Sequence, residues 1–295
     1  MIYHIPGKTF LLGEYAALLG GSVLGLATSP GFEVSYQTGT QSGQNFKSAF
    51  PTGSPAATAH KDQPDLHIKF VDLIKLGGFG KSTAEYLSVI LPDLNQNSDF
   101  SALKNHYKKI TESSGSAVSG LDLAIQLYGE VMHFDASTNS CTTSSWQFPK
   151  IEFFLISTGV KIKTHEHLQQ INLIDLKDFP AVSDRLIQQC LIGDETDLVT
   201  AVNEWSLFLA SHKLVHEHSA NLQAALLKNN EILAAKPCGA LGADVILVLC
   251  DAEKASHVKA AILNMDLSVV ASSKDLCPGV LAQLGKVKSA GLDVG

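Results

Sequence analysis

The chain has 295 residues, 45% of them apolar and 17% charged, with a formal net charge of −7. That length suffices for one large or two medium domains, each with its own core, while the charge excludes a general nucleic-acid binder. No apolar run approaches the roughly 18 residues that a membrane-spanning helix needs.

Five cysteines (Cys141, Cys190, Cys238, Cys250, Cys277) show no zinc spacing and point to buried thiols in a reducing compartment. The first apolar stretch is broken by Pro6, Lys8 and Glu14 and lacks a cationic start, so a signal peptide is not expected and a cytoplasmic protein is.

The opening residues predict strand, turn, strand: IYHIP, a turn at Pro6-Gly7, TFLLGEYAALLGG, then FEVSYQT. A Gly/Ser/Thr/Gln-rich tract over 37–62 predicts a long loop or hairpin. LHIKFV alternates as a half-buried strand does, and after a glycine turn STAEYLSVIL predicts a short helix stopped before Pro92. A further helix is expected from Gly120, because Leu121, Ala124, Ile125 and Tyr128 fall at helical spacing. EVMHFD and IEFFLIST follow as strands, and 183–235 is helical in character. A glycine-punctuated turn, the buried strand DVILVLC, a helix and a last strand close the chain. The shift in pattern near residue 150 suggests two domains, 1–150 and 151–295.

Three segments carry candidate chemistry. LGGFGKSTAEYL (76–87) ends a glycine run in Gly-Lys-Ser-Thr, yet a P-loop needs a glycine at position 75, where Lys75 stands. Gly77, Gly78 and Gly80 still let the backbone approach a ligand, and Ser82 and Thr83 open a helix whose N-terminus favours phosphate. A plain capped helix explains the same residues. In IPGKTFLLGEYAALLGG, Lys8 follows the turn and Glu14 interrupts an apolar run; both are equally read as charges at strand ends. In SGSAVSGLDLAIQLYGE, Asp122 falls in a first helical turn, either as a dipole-stabilised carboxylate or as a general base for a hydroxyl nucleophile.

In order and spacing, the segments resemble the GHMP kinases. PGKTFLLGEYA is similar to that family's first motif, GGFGKSTAE to its second, which binds ATP phosphates, and KPCGALGAD (236–244) to its third. The resemblance implies an α+β fold of two domains, with the active site in the cleft between them, and ATP and Mg²⁺ as cofactors. It implies a catalytic pair, Lys8 and Asp122, and a phosphate cradle of Gly77, Gly78, Gly80, Ser82 and Thr83, to which the Lys81 ammonium is expected to add a point charge on an ATP phosphate. Ser82 and Glu112 become the candidate metal ligands, and Gly239 and Gly242 shape the third loop beside substrate, with Glu14 a further substrate contact.

GEYA, SGLDLAIQLYG and Asp244 resemble the phosphomevalonate kinases within that family, with mevalonate kinase the alternative. A catalytically impaired ligand-binding protein is the further alternative, since Leu241 and Ala243 replace loop glycines and Lys81 stands where most members have serine. Lys161 and Lys163, before Thr164, His165 and His167, alternate onto one face as a strand would present them, which makes Lys163 and Thr164 candidates for an anionic substrate. The expected partners are ATP and that small molecule, with no nucleic acid or membrane and with a homodimer left open.

Overall fold

The computed structural model describes residues 2–37, 50–112, 118–160, 176–239, 242 and 244–284. Its elements run β1 (Ile2–Leu12), β2 (Val23–Gln37), α1 (Pro55–His60), β3 (His67–Asp72), α2 (Lys81–Ile90), α3 (Phe100–Glu112), α4 (Leu121–Tyr128), β4 (Val131–Asp135) and β5 (Ser140–Ser144). They continue with β6 (Ile151–Ser157), α5 (Phe179–Ile192), α6 (Glu195–Ser211), α7 (Glu217–Leu226), β7 (Ile232–Cys238), β8 (Val245–Asp251), α8 (Ala255–Leu263) and β9 (Ser268–Ser272). Helices packed with antiparallel sheets make the fold α+β.

One sheet has the order β1-β2-β4-β5, with β3 also on β2; the other has the order β7-β8-β6-β9. The branch arises because β2 is long: Val23–Leu26 pair with β4 and Phe32–Gln37 pair with β3. Sheet membership changes between Ser144 and Ile151, but packing does not stop there. A single apolar core runs from Ile5 through Phe153, Trp205 and Leu247 to Leu281. A smaller core joins Phe154, Ile156, Ile246 and Val248 to Val258 and Ile262 of α8.

Residues 276–284 return to the first sheet. Glu130 N donates to Cys277 O at 2.8 Å, Cys277 N to Ala27 O at 3.1 Å, and the Gln283 amide exchanges hydrogen bonds with the His4 backbone.

Four local expectations change. The tract 37–62 is not loop throughout: Pro55–His60 is a helix, capped by the Ser54 hydroxyl, which accepts from Ala57 N at 3.1 Å. Pro6-Gly7 makes no turn: β1 continues through it with a register shift between Ile5 and Gly7. Proline cannot donate to the ladder, and an irregularity is where a strand tolerates it. The strand after it ends at Leu12, followed by a 3₁₀ turn at Ala16–Leu19. The helical character assigned to 183–235 ends earlier, because Ile232–Cys238 is a buried strand whose short apolar run carries no decisive period. Helix α3 escaped the periodicity reading, since its buried positions, Phe100, Tyr107, Ile110 and Thr111, are diluted by lysines.

Candidate active site

Strand β1, the glycine loop before α2, and the first turn of α4 converge. β1 is buried on both faces from Ile5 onward, which removes the alternation of its outer half. There the Lys8 backbone N–H donates to Phe79 O at 3.0 Å, so the strand directly holds the glycine loop. The Lys8 ammonium lies 3.0 Å from Asp122 Oδ2, the lysine side chain 9% exposed and the aspartate 33%. It also sits 4.8 Å from the Phe10 ring centroid, a favourable cation–π position.

Gly80 is the N-cap of α2 at φ 82°, and no side chain caps the helix. The leading N–H groups and the positive end of the dipole therefore face the loop, the arrangement that binds anions. Gly80 must be glycine for a second reason: a Cβ there would stand 2.7 Å from Lys8 Cγ and 3.1 Å from Gln126 Nε2. Gly78, at φ 88°, approaches the third loop so closely that a Cβ would meet Asp244 Cβ at 2.4 Å. Gly239 (φ 88°) and Gly242 (φ 58°) form that loop's turn, with Gly242 N donating to Gly239 O at 3.0 Å. Gly77, next to Gly78 in the loop, is half-buried.

Behind the exposed Lys81 and Ser82, α2 is buried from Thr83 to Ile90. Thr83 turns inward, its hydroxyl 3.2 Å from Tyr107 Oη of α3. Burial pushes the Tyr107 phenol up to about 12; hydrogen bonds with Thr83 and Ser82 oppose the rise and the Asp122 charge adds to it. Lys81, expected at the ATP phosphates, is paired with Asp72 at 3.1 Å while 49% exposed. Asp72 Oδ1 accepts from Ile74 N (3.1 Å) and Lys75 N (2.9 Å), closing the turn after β3.

Glu14, expected beside substrate, is 5% exposed and has both oxygens engaged: Lys236 pairs with one and Trp205 Nε1 donates to the other at 2.9 Å. Glu112 ends α3, exposed. A nucleotide-bound Mg²⁺ takes one or two protein oxygens and leaves the rest of its octahedron to phosphate and water. The Ser82 hydroxyl at the mouth of the cradle fits that demand, and among the described residues no group of three or more His, Cys, Asp or Glu offers a fuller cage. Lys163 and Thr164, with Lys161, His165 and His167, lie outside the described residues, as do Leu241 and Ala243.

Sequence reasoning passed over Tyr107, Gln126, Trp205 and Lys236. Only Gln126 carried a usable signal, its spacing of four residues from Asp122 on one helix.

No family model and no curated protein matches the chain. Solved structures do. A crystal structure of mevalonate kinase matches with TM-score 0.69 at 15% identity, over 94% of this chain and 99% of that one. The Streptococcus pneumoniae phosphomevalonate kinase, in complex with phosphomevalonate and AMPPNP, matches with TM-score 0.71 at 15% identity, over 92% and 99%. The Lactococcus lactis galactokinase complexed with galactose matches with TM-score 0.63 at 13% identity, over 95% and 93%.

The chain thus has the fold of the GHMP kinases over nearly its whole length. Mevalonate kinase and phosphomevalonate kinase are among its structural neighbours.

Proposed function

We propose that this protein is an ATP-dependent small-molecule kinase that transfers the γ-phosphate of ATP to phosphomevalonate. The observation that carries the reading is the Lys8–Asp122 pair set beside an uncapped, glycine-lined helix N-terminus. An exposed anion site next to a buried, partnered ammonium suits a reaction that is mostly positioning and charge stabilisation.

In this reading the N–H groups at the start of α2, with Gly77, Gly78 and Gly80, cradle the phosphates. Lys8 stabilises the charge on the transferring phosphoryl oxygens, and Asp122 holds Lys8 in place. A phosphate-oxygen acceptor is already ionised and needs no base; a hydroxyl acceptor would give its proton to Asp122. When bound, Mg²⁺ would neutralise phosphate charge, held by Ser82 with Glu112 the candidate carboxylate. Gly239 and Gly242 shape the wall beside the acceptor. Lys163 and Thr164 are proposed for its anionic groups, the chain being otherwise acidic.

ADP release measured with phosphomevalonate, mevalonate, galactose and homoserine tests this. Turnover with phosphomevalonate is expected. Turnover with mevalonate alone would replace the acceptor, and ATP binding without turnover on any of the four would make the protein a non-catalytic binder.

A further inference from the structure

A buried polar side chain outside the Lys8, Asp122 and glycine-loop set touches two of the segments that carry them. Gln126 lies on α4 four residues after Asp122, so the two project from the same helix face. It is 0% exposed. Its Nε2 donates to Pro6 O at 2.9 Å and to Gly80 O at 3.3 Å. The first carbonyl lies in β1 two residues before Lys8; the second belongs to the N-cap of α2. Two carbonyl acceptors require the nitrogen between them, which fixes the amide orientation chemically.

The opposite end of the amide is costly. Gln126 Oε1 is buried with no hydrogen-bond partner among the described residues, a penalty of about 1–3 kcal/mol that leucine or methionine would avoid. An apolar side chain would spare that penalty but withdraw the donor from Pro6 O and Gly80 O, so the use of the amide lies in those two bonds. What no apolar side chain can do is tie two carbonyls of different segments to the helix that bears Asp122.

We propose that Gln126 is a positioning residue that sets the register between the Lys8–Asp122 pair and the phosphate cradle. The inference rests on the kinase reading above. The cradle's N–H groups are built into α2 and survive loss of the glutamine, so ATP affinity changes little. The placement of Lys8 relative to those groups does not survive, and a shift of about 1 Å in a reacting geometry costs on the order of 10²-fold in rate.

The test compares wild type with Gln126→Met, which keeps the volume, and Gln126→Asn, which keeps an amide one methylene too short to span both carbonyls. Measured are ATP Kd, kcat, melting temperature and hydrogen exchange at the Lys8 amide, whose bond to Phe79 O reports whether strand and loop stay together. The expected result is kcat lowered about 10-fold or more with ATP Kd within about 3-fold, and faster Lys8 exchange, in whichever variant folds. Unchanged kcat and exchange with a lowered melting temperature would overturn the proposal and leave a packing residue. A wild type that releases no ADP with any acceptor overturns the kinase reading itself and the positioning role with it, whatever the exchange rates.

Discussion

Asp122 and Tyr107 make different contacts at the candidate site, one to Lys8 and one to Thr83. Asp122 is the partner of the buried Lys8 ammonium, so Asp122→Asn removes a charge while keeping the shape. Because Asp122 holds Lys8 in place, turnover should fall by about 10² or more, the scale for a reacting group displaced by about 1 Å, while ATP Kd stays near wild type; near-normal kcat would remove Asp122 from the mechanism. Tyr107 hydrogen-bonds the Thr83 and Ser82 hydroxyls. Tyr107→Phe keeps the ring packed 4.7 Å from Tyr86 and removes only the phenol oxygen. One neutral hydrogen bond is worth about 1 kcal/mol, so ATP binding should weaken by roughly 5-fold with little change in kcat.

The pH dependence follows from the same phenol. Its folded value is raised from 10.0 to about 12, chiefly by burial, so its share of stability is complete below pH 10 and is lost as pH rises through about 12. Unfolding measured at pH 9 and pH 11.5 should show Tyr107→Phe losing less stability than wild type. Lys81 is a quieter case: a half-exposed pair such as Lys81–Asp72 contributes about 0–1 kcal/mol, so it orders the loop weakly and gives way readily to a stronger anion.

Among the elements, helices α2 and α4 were readable because a glycine marks each N-cap and apolar residues recur at helical spacing after it. β7 was not: ILAAKPC mixes a lysine and a proline into an apolar run, and only burial of Lys236 against Glu14 explains a charge there. The candidate site divides the same way. Lys8, Asp122 and the glycine loop form patterns of order and spacing, whereas Tyr107 and Gln126 are single residues of ordinary type whose roles exist only once α3 and β1 are in place.

The glycine loop also separates conformational strain from close approach. Gly80→Ala meets both, a left-handed φ of 82° and a 2.7 Å contact with the Lys8 stem. Gly20→Ala meets the first alone, since at φ 81° nothing lies within 4 Å. Both should lose about 1 kcal/mol of stability to the backbone. Only Gly80→Ala should lose turnover, by about 10-fold or more through displaced Lys8; equal kcat in the two variants would detach the loop from catalysis.

At the scale of the whole molecule, the two sheets are joined by a shared core, by residues 276–284 returning to the first sheet, and by a buried charge pair. Glu14 follows β1, Lys236 lies on β7 with 0% exposure, and Trp205 of α6 donates to the same carboxylate. Burial opposes the lysine's charge, but Cys238 and Glu14 outweigh it and hold the ammonium above its ordinary range. Its share of stability is therefore complete below the ordinary lysine pKa and is lost as pH rises through the folded value. Lys236→Met leaves Glu14 buried with only the indole N–H, and such a broken pair costs about 3–5 kcal/mol. Adding Glu14→Leu removes the stranded charge, so the double variant should recover most of that loss. Denaturant unfolding of the two single variants and the double variant measures this, and because one core spans both sheets each curve should show one transition. Equal losses in Lys236→Met and the double variant would mean that the pair contributes packing alone and that charge does not join the sheets.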